Sequence, residues 1–159
     1  MANEVRITNA DLIVDEGERV QYIVIKLGAE QYGIDIKYVD NIVRMQSITR
    51  VPHVPAYIKG VINLRGEVIP VLNLRLKMDL EEVDETSASR IIILKTEQFG
   101  LLGFIVDEVR EVVTLSERQI EKTTHDVNEE KQNFVFAVGQ NNNELISLLD
   151  MNVVCAERV

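Results

Sequence analysis

The chain has 159 residues, a formal net charge of −9, one Cys and no Trp. Hydrophobic residues make up 46% of it, enough for a packed core and too many for wholesale disorder. The acidity works against nucleic acid or an anionic membrane as partner, because both need clustered Lys and Arg.

A spanning helix needs about 20 mostly apolar residues, and the apolar runs at 91–94, 101–102 and 104–106 fall far short, so no direct membrane insertion is expected. Residues 1–6 lack the charged-then-apolar pattern of a secretory leader, and the lone Cys155 has no partner for an internal disulfide. Both features predict a cytoplasmic protein. The length suits one domain or two small subdomains. With few aromatics, the core must be built from Val, Ile and Leu, which favours pleated sheet.

In chain order, residues 1–18 are polar and mixed, and read as a tail or loosely docked arm. Residues 20–27 alternate and predict a strand, followed by a turn at 28–30 and a second strand over 31–36. Ile36, Val39, Ile42 and Val43 fall at helical spacing, which predicts one or two turns of helix over 35–42. Residues 48–51 read as extended, held so by Pro52, and Pro52 and Pro55 bracket a rigid connector.

The most informative stretch follows. Two apolar pieces, 61–64 and 68–72, flank a short turn at Arg65-Gly66. Gly supplies the positive φ of a tight hairpin, but nothing in turn geometry asks for an Arg beside it. Arg65 therefore suggests recognition of a protein partner, with internal pairing to Glu67 or Asp35 as the plainer alternative. Residues 79–88 hold five carboxylates within seven positions and read as a solvated boundary loop.

Beyond it, residues 90–95 and 99–106 predict a hairpin around Thr96-Glu97-Gln98, and 109–115 continues extended with Val109 and Val112 on nearly one face. Ser116-Glu117-Arg118-Gln119 resembles a capped turn, and 121–133 reads as a polar, mobile loop. Residues 134–138 and 145–149 pair across a Gly/Asn turn, and Asp150 is placed to cap a last short helix. About nine or ten short strands with few helical residues predict small antiparallel barrels or a sandwich. The acidic loop suggests two similar halves, without a residue-level repeat.

Catalytic sets are missing from this pattern. His53 and His125 are the only histidines, no ligand pair has the short spacing of a zinc site, and no nucleophile elbow or Cys–His pairing is seen. No metal, no cofactor and no enzyme activity are expected. Binding is the remaining class: Arg65 can offer a fork of donors to a carboxylate, Val39 faces either a groove or the core, and a strand edge near 62–72 is placed to extend a partner's sheet.

The order of the pieces is itself distinctive. Tyr32-Gly33-Ile34-Asp35-Ile36 with Val39 and Ile42 precedes Ile48-Thr49-Arg50-Val51-Pro52, then Pro55 to Gly66 (PAYIKGVINLRG), then Ile69-Pro70-Val71 and Leu74-Arg75. In the second half come Gly103-Phe104-Ile105-Val106-Asp107 with Val109 and Val112, then Gln119-Ile120-Glu121, then Leu148-Leu149-Asp150. Together these blocks, over about residues 18–155, resemble the CheW family of bacterial chemotaxis adaptors.

The resemblance implies an all-β fold of two packed five-stranded SH3-like barrel subdomains with a few short helices. The subdomains are expected at 19–86 and 87–159, with strand 20–27 crossing between them. It implies a non-catalytic adaptor that joins the regulatory domain of the histidine kinase CheA to the cytoplasmic tips of methyl-accepting chemoreceptors, in membrane-associated receptor arrays. By motif, Val39, Asn41, Arg65 and Gly66 fall in the receptor-contact region, Val109 and Val112 line the same groove, and Lys59 and Ile62 lie on the kinase side. Position 41 is often acidic in the family and is Asn here, and 133–139 departs from the family pattern. No receiver domain follows, which argues against the CheV arrangement. Two other readings stay open: a CheW-like scaffold for a different kinase pathway such as surface motility, and a small-barrel ligand binder or enzyme, which would need a concave pocket with convergent polar groups.

Overall fold

The computed structural model describes residues 18–122 and 134–156. All but the last residue of the arm expected over 1–18, and all but the first two residues of the 121–133 loop, lie outside the described residues. The order is β1 (Arg19–Leu27), β2 (Glu30–Asp35), a 3-10 turn (Ile36–Tyr38), β3 (Val39–Arg44), β4 (Ile58–Leu64), β5 (Glu67–Asn73) and a short helix α1 (Leu74–Lys77). Then come β6 (Arg90–Thr96), β7 (Gly100–Val106), β8 (Glu108–Ser116), a second 3-10 turn (Glu117–Gln119), β9 (Ile120–Lys122), β10 (Val135–Asn141), β11 (Glu144–Leu149) and α2 (Met151–Val154).

The architecture is all-β, in two sheets with strand orders β3-β6-β7-β5-β4 and β8-β1-β2-β11-β10-β9. The first has the expected five strands; the second gains a sixth, because residues 120–122 pair with β10. The sheets do not divide at residue 87. β1 and β2 lie in the sheet of β8–β11, while β6 and β7 lie in the sheet of β3–β5. Neighbouring strands pair as local hairpins, and each sheet takes a hairpin from the other half of the chain at its centre.

The helix expected over 35–42 is a correction. Asp35 Oδ1 accepts from the Lys37 N–H at 3.0 Å and holds a single 3-10 turn, after which Val39–Arg44 is a strand paired to β6. The helical spacing of Ile36, Val39 and Ile42 lost to the ladder that β-branched residues make against Ile91–Leu94.

Three apolar clusters explain the uninterrupted Ile91-Ile92-Ile93-Leu94 run. Ile91 and Ile93 point into a cluster with Ile62, Ile69 and Val71 inside their own sheet. Ile92 and Leu94 point the other way, into a larger cluster shared with Ile23, Ile25 and Leu27 of the second sheet. β1 is divided likewise, with Tyr22 and Val24 packed against Val113, Leu115 and Leu148. A strand buried on both faces reads as continuous apolar sequence rather than alternation. The shared cluster is the seam between the sheets.

The two sheets also match residue for residue. In β4–β5 the pairs are Ile58↔Leu72, Gly60↔Val71, Ile62↔Ile69 and Leu64↔Glu67; in β10–β11 they are Val135↔Leu149, Ala137↔Leu148, Gly139↔Ile146 and Asn141↔Glu144. Each hairpin has a bulge near its open end and a two-residue turn. Each also runs into a helix capped by its own side chain, Asn73 Oδ1 to the Leu76 N–H and Asp150 Oδ1 to the Asn152 N–H. The isolated Thr49↔Val61 bridge stands where Glu121 of β9 pairs with Val138, so the extended stretch expected at 48–51 is a one-pair version of β9.

Candidate partner-binding site

The Arg65-Gly66 turn is tighter than its sequence suggests. Both residues have positive φ, 54° and 85°, the backbone of a type I′ turn, so Arg65 itself sits in the left-handed region. Asn or Gly is usual there; an Arg costs about 1 kcal/mol. The Asn63 side chain braces the turn by accepting from the Gly66 N–H at 3.1 Å. Nothing lies within 4 Å of where a Gly66 side chain would start, so the tip stands clear of the molecule. Arg65 is exposed and makes no hydrogen bond or ion pair with Glu67, Asp35 or any other described residue. The result is a guanidinium on a stiff support with no partner among the described residues.

Val39 and Val109 sit elsewhere, on the edge strands β3 and β8, and both pack against the seam. Their settings are equivalent. Val39 pairs with Leu94 and Val109 with Ile25, and the next residue in each case, Asp40 or Arg110, is an unpaired bulge. The bulge brings a residue three positions on to the same face. Thus Val112, opposite Ile23, shares the seam side with Val109, and Ile42, opposite Ile92, shares it with Val39. Val112 is 50% exposed and Ile42 36%, so each seam edge carries one half-buried and one open aliphatic residue. Sequence reasoning missed Ile42 as a surface residue because alternation alone cannot register the bulge at Asp40. Asn41 turns its Oδ1 to the neighbouring Ile42 N–H at 2.8 Å, a local bond on an edge strand.

The two residues expected on the kinase side differ in accessibility. Ile62 is 2% exposed, its side chain in the cluster beneath β4, and Asn63 beside it faces outward. Lys59 reaches the surface and is 2.7 Å from Glu82 of the acidic loop.

One further polar group joins the sheets. Arg75 donates from Nε to Asp107 Oδ1 at 2.9 Å and from Nη2 to Oδ2 at 2.5 Å, while Asp107 also accepts from the Gly28 N–H at 2.8 Å. The Arg75 hydrogen bonds hold the Asp107 carboxyl below the usual range, and the same bonds raise Arg75 further above its own. Burial pushes the Cys155 thiol up to about 11, so at neutral pH it is protonated and a poor nucleophile. No group of three or more His, Cys, Asp or Glu among the described residues is arranged to hold a metal ion. Nor is any described helix long and apolar enough to cross a membrane.

A model of the CheW-like domain matches residues 21–158, most of the chain. The chain belongs to the CheW family. Similar family members include the chemotaxis protein CheW of Bacillus subtilis (strain 168), 36% identical over 141 residues that span 89% of this chain and 88% of the relative. That of Helicobacter pylori (strain ATCC 700392 / 26695) is 30% identical, spanning 85% and 81%. Among solved structures, the CheW scaffolding protein of Thermoanaerobacter tengcongensis superposes with a TM-score of 0.75 at 32% identity, covering 84% of this chain and 90% of that one. Membership in the CheW family agrees with the two-sheet all-β architecture and with the blocks that carried the resemblance.

Proposed function

We propose that this protein is a non-catalytic chemotaxis adaptor that couples the cytoplasmic tips of methyl-accepting chemoreceptors to the histidine kinase CheA, within membrane-associated receptor arrays. The observation that carries the reading is Arg65: a cation in a costly backbone conformation, without a partner among the described residues, on a turn that Asn or Gly would form better. Strain of this kind persists where the side chain is wanted for something other than the fold. A planar fork of donors suits a partner carboxylate.

The receptor side is Val39, Asn41, Arg65, Gly66, Val109 and Val112. The apolar edges of the seam suit the non-polar face of a helix laid between the sheets, a common mode of peptide recognition, and Arg65 supplies a polar contact at the hairpin tip. The kinase side is β4, with Lys59 as the charged contact and Ile62 as the buried residue that keeps the strand in place.

The test is reconstitution. CheA autophosphorylation is measured with receptor signalling fragments, with and without this protein. A rise that needs all three components supports coupling. No rise with a folded protein would overturn the assignment to CheA and move the protein to another kinase pathway, such as one for surface motility.

A further inference from the structure

The acidic loop between α1 and β6 is held at both ends. At its start the Leu80 N–H donates to the Arg75 carbonyl at 2.7 Å, and Arg75 Nη1 donates to the Glu81 carbonyl at 3.2 Å. Arg75 is itself fixed by its two bonds to Asp107. At its end the Thr86 N–H donates to Ser89 Oγ at 2.9 Å, the Ser89 N–H donates to the Thr86 carbonyl, and Ser89 is buried. Between these anchors the loop closes over a recess of about 380 Å³ that Glu82, Asp84 and Glu85 line together with Lys59, Met45 and Ile48. Glu82 Oε2 lies 2.7 Å from Lys59 Nζ across it.

Resting on the reading of Lys59 as a kinase contact, we infer that the loop is a built-in competitor: Glu82 occupies Lys59 in the free protein, and a carboxylate on the kinase takes its place on docking. Three features support it. The loop is anchored outside the contact, so Glu82 can leave without unfolding the anchors. Lys59 is 33% and Glu82 45% exposed at the side chain, so the pair is open to exchange with a second anion. Exposed pairs are weak, and a weak internal pair raises the threshold for docking without blocking it.

The experiment titrates purified CheA against the full chain and three variants, Glu82→Gln, Lys59→Gln and the double variant, with hydrogen exchange followed over residues 79–88. Removing the competitor should tighten binding by roughly 3- to 5-fold, within the range of an exposed pair. Lys59→Gln should weaken binding, and the double variant should match Lys59→Gln alone, because Glu82 acts only through Lys59. Exchange over 79–88 should quicken when CheA binds. Equal binding by Glu82→Gln and the unaltered chain, with Lys59→Gln weakened, overturns the competitor and leaves the adaptor reading intact. Exchange that stays the same or slows on binding overturns displacement of the loop. Failure of the unaltered chain to bind CheA overturns the functional reading itself.

Discussion

The β4–β5 and β10–β11 hairpins are two uses of one backbone. They share register, bulge, turn length and helix cap, yet one carries Arg65-Gly66 at its tip and the other Asn142-Asn143. Asn142 and Asn143 also have positive φ, 49° and 69°, so the two turns have the same shape. The second tip is filled with a residue type that tolerates that shape; the first keeps one that does not. Such a matched pair separates what a turn needs from what a partner needs, because the shared geometry cancels. What is left over at the first tip is a guanidinium.

The hairpins differ again near their open ends, and there the largest effect is expected. Gly60 has φ 145°, and a side chain on it would start 2.1 Å from the Thr49 carbonyl oxygen. Its counterpart Ala137 already has a Cβ and is fully buried. Gly60→Ala should cost about 3 kcal/mol or more by denaturant melts, since neither the backbone nor Thr49 can give way. Ala137→Gly should cost only about 1–2 kcal/mol. Similar losses at the two sites would show that crowding by Thr49 does not set Gly60 apart from Ala137.

Next in size is the tip itself. Arg65→Glu should lower receptor-fragment affinity roughly 30-fold, as for a central interface residue, and shift the melting temperature by less than about 2 °C. Asn142→Glu should leave that affinity unchanged. A fall in stability that tracks the fall in binding for Arg65→Glu would make Arg65 a structural residue and end its assignment to the interface.

A smaller effect separates the helices that follow the hairpins. Arg75 of α1 has its bidentate pair with Asp107, whereas Asn152 stands at the same position of α2. The folded Asp107 carboxyl is held below its unfolded value, so the pair's stabilisation is present in full above the unfolded value, near about pH 4, and is lost as pH falls through the folded one. Asp107→Asn should cost about 1–2 kcal/mol at pH 7 and flatten the acid limb of the stability profile. An unchanged acid limb would assign the pH dependence to other carboxylates.

The smallest difference is in the caps. Removing either acceptor should cost about 1 kcal/mol. Asn73→Ala should exceed Asp150→Ala, because Asn73 is buried and water cannot replace its bond to the Leu76 N–H as readily. Equal losses in chemical denaturation would show that burial of the cap does not matter here.

Much of this was legible in the chain. Alternation at 20–27, apolar pieces around Arg65-Gly66 and Asp150 before a short apolar run each report a local preference, and each became β1, the β4–β5 hairpin and the cap of α2. Arg65 was conspicuous because a hairpin tip leaves little reason for a bulky cation. Spacing misled at 36–43, where the apolar residues suit a helix as well as a bulged strand and only pairing with β6 decides. The repeat was hidden for a different reason. Its units are not contiguous, since each sheet borrows a central hairpin from the other half of the chain, and a comparison of first half with second half aligns the wrong strands.

The sequence by itself determined the elements whose causes are local: alternating strands, tight turns, capping side chains and the acidic loop. Turn φ preferences, pleat alternation and side-chain caps act within a few residues and need no distant partner. The tertiary structure alone decided which hairpin entered which sheet, that the bulges at Asp40 and Arg110 brought Ile42 and Val112 to the seam face, and that Glu82 came to rest on Lys59. Those outcomes depend on contacts between residues far apart in the chain, made by apolar burial that has no direction of its own and is given one only by the packed seam.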